Sequence, residues 1–220
     1  MLKTPVIIIN FKAYMSATGS RAVSLAKKCD KVARETKANI AVAVQASDIF
    51  RVSREVSIPV LSQHIDDIEF GSNTGSILAE AVKENGAVGT LINHSEKRIP
   101  LEKIKGAVKR AKENGLVVVC CAKDDNEGKK ISAFKPDFVA VEPPELIGGN
   151  ISVSTSKPGL IKNSVKKIGN NIIVGAGVKT TEDVKKAVEL GSVGVLVASG
   201  ITKSDNPEKT LRDLVKGLKG

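Results

Sequence analysis

The segment 138–150, FVAVEPPELIGGN, sets an apolar run against a single acid at its end, Glu142. Pro143 and Pro144 fix φ at about −65° and keep the preceding residue out of the helical region, so the chain leaves the run stiffly. Gly148 and Gly149 can take positive φ or bring backbone N–H groups close to a ligand. A carboxylate at a strand's C-terminal edge, followed by such a loop, fits a catalytic base beneath a lid. A solvated glutamate ahead of an ordinary proline-rich loop fits the same letters. Similar polar groups recur just past other apolar runs. Asn10-Phe11-Lys12 follows the run 6–9, and alternation along an extended chain would send residues 10 and 12 to one side. Asn93-His94-Ser95-Glu96-Lys97-Arg98 follows the run 88–92. There His94 stands before Ser95-Glu96, a candidate helix start, a place that disfavours imidazolium and favours a neutral, hydrogen-bond-donating ring. His64, after the run 58–62, is assigned to packing or to an interface. Gly175-Ala176-Gly177 and Ala198-Ser199-Gly200 follow the last two runs. Small-residue turns that open helices present N–H groups suited to phosphate.

Groups so far apart in sequence need a scaffold that gathers strand ends. Apolar, β-branched runs recur at 6–9, 40–44, 58–62, 88–92, 116–120, 138–141, 172–174 and 193–197. They are nearly continuous rather than alternating, which indicates strands buried on both faces, as in a parallel sheet covered by helices. Amphipathic stretches lie between them at 20–36, 77–85, 101–114, 157–168, 182–190 and 207–218. The connections 48–55 and 125–134 have room for only a turn or two of helix. Asn85-Gly86, Asn114-Gly115 and Leu190-Gly191 place glycine just past a last turn. Thr181-Glu182-Asp183 supplies a cap and acids to a first turn. Eight strand–helix alternations fit an α/β fold of the closed (β/α)8 barrel type, a TIM barrel formed by one domain over 1–220. A doubly wound sheet usually needs fewer strands and a glycine-rich first turn, which this chain lacks. In such a barrel the working groups sit just after the strands, and phosphate is commonly held after strands 7 and 8.

Composition narrows the function classes. Hydrophobic residues make up 41% and charged residues 26%, an ordinary globular balance that sets disorder aside. Aromatics are 3% with no tryptophan, leaving little material for a base-stacking platform. The net charge of +10 suits an anionic partner, yet the lysines alternate with acids in helical patterns, as in Glu182-Asp183-Val184-Lys185-Lys186, and most belong to solvated faces. Cys29, Cys120 and Cys121 are too few and too poorly spaced for a disulfide framework or a zinc site, and the last two sit in an apolar run as small core residues. The short run 6–9 is not a signal sequence and no run approaches membrane-spanning length. A cytoplasmic protein with no membrane and no nucleic-acid partner is expected.

Taken together, Asn10-x-Lys12, His94-Ser95-Glu96, Glu142-Pro143 with Ile147-Gly148, and Ala198-Ser199-Gly200 resemble the triosephosphate isomerase family, in order and over the whole chain. The resemblance implies interconversion of dihydroxyacetone phosphate and D-glyceraldehyde 3-phosphate, a step of glycolysis and gluconeogenesis, through an enediolate. It implies no metal and no organic cofactor. Glu142 would remove the proton beside the carbonyl. His94 would polarise the carbonyl and shuttle a proton between the two oxygens. Lys12 would supply positive charge, Asn10 would help position the substrate, and Glu96 would hold the Lys12 region. Ile147, Gly148, Gly177, Ala198, Ser199 and Gly200 would hold the phosphate. Asn93 stands where glycine is usual before His-Ser-Glu, the lid letters differ from the commonest ones, and the turn after strand 7 lacks the usual serine. These features and the short chain are similar to the compact archaeal-type branch, which implies a homo-oligomer, a tetramer rather than a dimer. The loop Gly71-Ser72-Asn73-Thr74-Gly75 resembles the interface loop whose threonine reaches a neighbour's active site; a bland polar turn has the same composition. Two other readings stand beside the isomerase. A different phosphate-binding barrel could be a sugar-phosphate epimerase or an indole- or thiamine-pathway synthase; epimerases of that kind want paired acids and metal-ligating histidines at strand ends, and only His64 and His94 are available. A basic nucleic-acid-binding module would rest on charge alone.

Overall fold

The computed structural model describes residues 2–147, 149 and 152–219. Its eight strands are β1 (Val6–Asn10), β2 (Asn39–Val44), β3 (Val60–Ser62), β4 (Gly89–Ile92), β5 (Val117–Ala122), β6 (Phe138–Val141), β7 (Ile172–Gly175) and β8 (Gly194–Val197). Each pairs in parallel with the next, and β8 pairs with β1, so the sheet closes as a barrel. The expected fold class is the one observed. Around the barrel run α1 (Ser20–Thr36), α2 (Ile49–Ser53), α3 (Ala79–Glu84), α4 (Leu101–Glu113), α5 (Asp125–Ser132), α6 (Val153–Ser156), α7 (Pro158–Ile168), α8 (Thr181–Glu189), α9 (Ser199–Thr202) and α10 (Pro207–Lys216).

Two apolar layers account for the unbroken strand runs. Val6, Ile8, Ala41, Ala43, Leu61, Leu91, Val119, Cys121, Phe138, Ala140, Ile173 and Leu196 fill the barrel's inside. The residues between them in sequence, such as Ile7, Ile9, Val42, Val118, Val139 and Val195, pack outward under the helices. Both faces of every strand are therefore dry, and alternation has no polar side to show.

Element ends differ from expectation in places with physical causes. β3 begins at Val60 rather than residue 58, because Pro59 has no N–H to enter the ladder and contributes only its carbonyl, to Val42. β5 runs on to Ala122, which places Cys120 outward and Cys121 inward, both buried. The stretch 157–168 is preceded by a separate short helix, α6; Pro158 then starts α7 at a position where a missing N–H costs nothing. α8 is capped by Thr180, one residue before the expected cap, in a reciprocal box with Asp183. Gly86, Gly115 and Gly191 take positive φ just past α3, α4 and α8, as their positions predict.

Candidate active site

The inward parity of β6 carries through Phe138 and Ala140 to Glu142, whose N–H still donates to Ala122 O (2.8 Å). Its side chain is thus aimed at the barrel mouth and is buried to 6% exposure. Carboxylate oxygen Oε2 is buried and has no hydrogen-bond partner among the described residues. A buried, unpartnered carboxylate oxygen is costly and seldom kept without a use. Room for it comes from Gly175 at the end of β7: a methyl group there would lie 2.6 Å from Glu142 Cγ and Oε1. On the other side the Cys121 thiol is pushed well up by burial first and then by the neighbouring Glu142 charge.

His94 Nε2 lies 3.8 Å from Glu142 Oε2, too long for a hydrogen bond but across one shared space. The expected helix at Ser95-Glu96 is absent; those residues form a turn, closed by Lys97 N–H on His94 O (2.8 Å), and α4 begins only at Leu101. The turn acts instead on the tautomer. Glu96 N–H donates to His94 Nδ1 (3.2 Å), so in the neutral ring the proton belongs on Nε2, the nitrogen nearer Glu142.

Lys12 also arrives otherwise than expected. β1 ends at Asn10, and Lys12 reaches the same cleft because its backbone turns to φ 49° rather than by strand alternation. Positive φ on a lysine is strained and is held here by contacts. Lys12 N–H donates to Asn10 Oδ1 (3.0 Å) and Gln63 Nε2 donates to Lys12 O (3.0 Å). Lys12 Nζ meets Glu96 Oε1 at 2.7 Å, while Glu96 Oε2 stands 3.6 Å from His94 Nδ1, so Glu96 touches both neighbours. His64 is buried, bonded to Asp66 (3.1 Å), and lines the hollow beside Lys12, His94 and Glu96.

One cleft is lined by Asn10, Lys12, His94, Glu142, Ile147, Gly149, Gly177, Ala198, Ser199 and Gly200. Glu96 lines its continuation beside Lys12, and Gly148 lies outside the described residues. The two small-residue turns share this cleft with the acid. Ala176 and Gly177 both take positive φ (78° and 72°). Ser199 and Gly200 open α9, where first-turn N–H groups have no intrahelical acceptor. The loop after Glu142 is anchored at both ends, by Pro144–Leu146 as one 3-10 turn and by Val153 N–H on Ala176 O (3.2 Å). A Glu145–Lys157 ion pair spans it.

A carboxylate, an imidazole and an ammonium group thus share one cleft with two small-residue turns, beside a tethered loop. The family model for triosephosphate isomerase matches residues 5–217. The chain belongs to the triosephosphate isomerase family. Curated triosephosphate isomerases similar to it include that of Methanobacterium bryantii, 50% identical over 98% of both chains. That of Methanothermobacter thermautotrophicus is 51% identical over 96% of this chain and 95% of its own. A crystal structure of triosephosphate isomerase from Bartonella henselae superimposes with a TM-score of 0.70 at 18% identity, covering 97% of each chain, a likeness of fold.

Within this triosephosphate isomerase fold, several cleft residues escaped the sequence reading. Tyr14 and Lys179 line the cleft from loops, with Lys203 Nζ 4.7 Å above the Tyr14 ring. Neither lies directly after an apolar run, so strand-end position, the signal that found the others, could not find them. Gln63 does follow β3, but its work is on Lys12 O, a partner no spacing rule reveals. Among the described residues no group of three His, Cys, Asp or Glu is arranged to hold a metal ion.

Proposed function

We propose that this chain interconverts dihydroxyacetone phosphate and D-glyceraldehyde 3-phosphate through an enediolate, with Glu142 as the base. The observation that carries the reading is the unpartnered Glu142 oxygen facing His94 Nε2 across a cleft that also holds Lys12. With substrate seated, Glu142 takes a proton from the carbon beside the carbonyl and returns it to the neighbouring carbon. His94 Nε2–H donates to the carbonyl oxygen as negative charge grows there, and passes a proton between the two oxygens. Lys12 sets a fixed positive charge beside that oxygen and the phosphate. Asn10 holds the backbone turn that presents Lys12, and Glu96 orients both Lys12 and His94. Ile147, Gly148, Gly177, Ala198, Ser199 and Gly200 form the phosphate cradle. The chemistry asks nothing of a metal or an organic cofactor.

The loop after Glu142 acts as a lid, because the enediolate would lose phosphate in contact with water. Homo-oligomeric assembly, a tetramer rather than a dimer, is part of the same reading. It is supported by the exposed Phe70 and Thr74 on a loop pinned at its base by Asp66 and Ile77, and by the open hollow beside Lys12. The three cysteines are free thiols, which fits a reducing compartment such as the cytoplasm. No helix among the described residues is long and apolar enough to cross a membrane.

The test is Glu142→Gln, assayed by coupled turnover without added metal. General base catalysis is worth about 10²–10⁴-fold, so kcat falls by at least that order while a phosphoglycolate-type enediolate mimic still binds. Turnover close to wild type removes Glu142 from its role.

A further inference from the structure

Asn93 is fully buried, immediately precedes His94, and has φ 62°. Asparagine tolerates left-handed backbone better than most residues, which alone would make it a passive filler. Its side chain, however, is committed at both ends. Nδ2 donates to Cys121 O on the neighbouring strand β5 (3.0 Å), and Oδ1 accepts from Ile99 N–H (3.0 Å). The first bond ties the end of β4 to the strand whose inward Cys121 lies against Glu142. The second closes the excursion 94–98 into a ring, with both of its ends gathered on one residue. Inside that ring sits Glu96, whose N–H fixes the proton-bearing nitrogen of His94. Arg98, bonded to Glu127, also donates to Asn93 O (3.4 Å) and braces the ring from outside.

We infer that Asn93 is a positioning residue: its amide holds the 94–98 ring in register with β5, and so keeps His94 in one tautomer and in its place across the cleft from Glu142. The inference rests on the proposed role of His94. No substrate contact is assigned to Asn93 itself. Its effect passes through Ile99, Glu96 and Cys121 to the imidazole.

Asn93→Gly separates this from the filler reading, because glycine takes φ 62° without strain and removes only the amide. Misplacing a catalytic group by about 1 Å can cost about 10²-fold. The expected result is a kcat at least about tenfold lower, with KM changed by less than about twofold, since the phosphate cradle is untouched. The ring 15N shifts of His94, assigned against His94→Gln, move from a single Nε2–H tautomer towards a mixture. Wild-type kcat with unchanged ring shifts in folded Asn93→Gly overturns the inference. Should the glycine variant fail to fold, Asn93→Asp keeps the acceptor for Ile99 but sets an oxygen against Cys121 O. Its kcat is expected to fall as well, and wild-type turnover there overturns the inference equally. His94→Gln in the same assay distinguishes the two layers of argument. If that variant turns over normally, it is the reading of the site that fails. If it collapses while Asn93→Gly does not, the inference about Asn93 alone fails.

Discussion

The glycine at the end of β7 illustrates how a residue's letter can be legible while its work is not. In the sequence, Gly175-Ala176-Gly177 has the look of a phosphate turn, and Gly177 does line the cleft. Gly175 instead supplies space for the acid on the adjoining strand, with backbone that needs no positive φ. Gly175→Ala should therefore act on the Glu142 carboxylate, the proposed base, rather than on phosphate binding. Overpacking of this kind costs about 1–3 kcal/mol, and the strain is relieved most readily by moving the Glu142 side chain. A kcat loss of about tenfold to a hundredfold, with affinity for inorganic phosphate within twofold of wild type, is expected. A shared loss of both would show that the turn, not the acid, had been disturbed. Lys12 and His94 carry the same lesson. Their presence at strand ends could be read from the chain, but the strained turn at Lys12 and the Glu96 N–H at His94 are tertiary facts.

Strands were the most legible elements, because burial on both faces writes an unbroken apolar run and nothing else in this chain does. Helix starts were less so, since several residues near a boundary can cap. Thr180 wins over Thr181 because only its hydroxyl can reach Asp183 N–H (3.2 Å) while Asp183 Oδ2 accepts from Thr180 N–H (2.9 Å). That box orders the turn after Gly177, and Thr155 and Ser154 of α6 lean on Asp183 as well. Thr180→Ala should lower unfolding stability by about 1 kcal/mol in denaturant titration, with little effect on kcat. The acid's own titration gives a second check. Burial alone would raise Asp183, but bonds from Ser152, Lys179 N–H and Thr180 outweigh it and hold the carboxyl below its ordinary 3.8. A folded-state value below the unfolded one stabilises the fold above pH 3.8, and that stability is lost as the pH falls further. Asp183→Asn should therefore flatten the stability curve below pH 3.8 and leave its shape near neutrality unchanged. A curve that keeps its acid limb would place that proton uptake on another group.

At the scale of the whole molecule the open features are assembly and charge. Phe70 and Met15 are each 76% exposed, Phe70 ahead of the loop that carries Thr74 and Met15 on the loop that follows Lys12, and they are the most exposed large apolar side chains among the described residues. Light scattering on the purified chain should give a tetramer, and Phe70→Glu a smaller species with reduced turnover. A monomer of full activity would dismiss any role for the neighbour. Charge bears on how substrate arrives. With 34 basic and 24 acidic residues the chain carries +10, and a triose phosphate is close to a dianion at neutral pH. Most lysines belong to helix faces, but Lys12 and Lys179 line the cleft and Lys203 sits over Tyr14 at its edge. Clefts whose walls carry one sign of charge raise the local concentration of oppositely charged ligand, and salt shortens the reach of that field from about 30 Å at 0.01 M to about 10 Å at 0.1 M. Raising potassium chloride over that range should lower kcat/KM severalfold while kcat, measured at saturation, holds steady. Charges gathered at the mouth act on encounter and leave the proton transfers in the closed site alone. If kcat/KM stayed flat, the net charge would be serving solubility from distant helix faces, and delivery to the cradle would depend on short-range contacts alone.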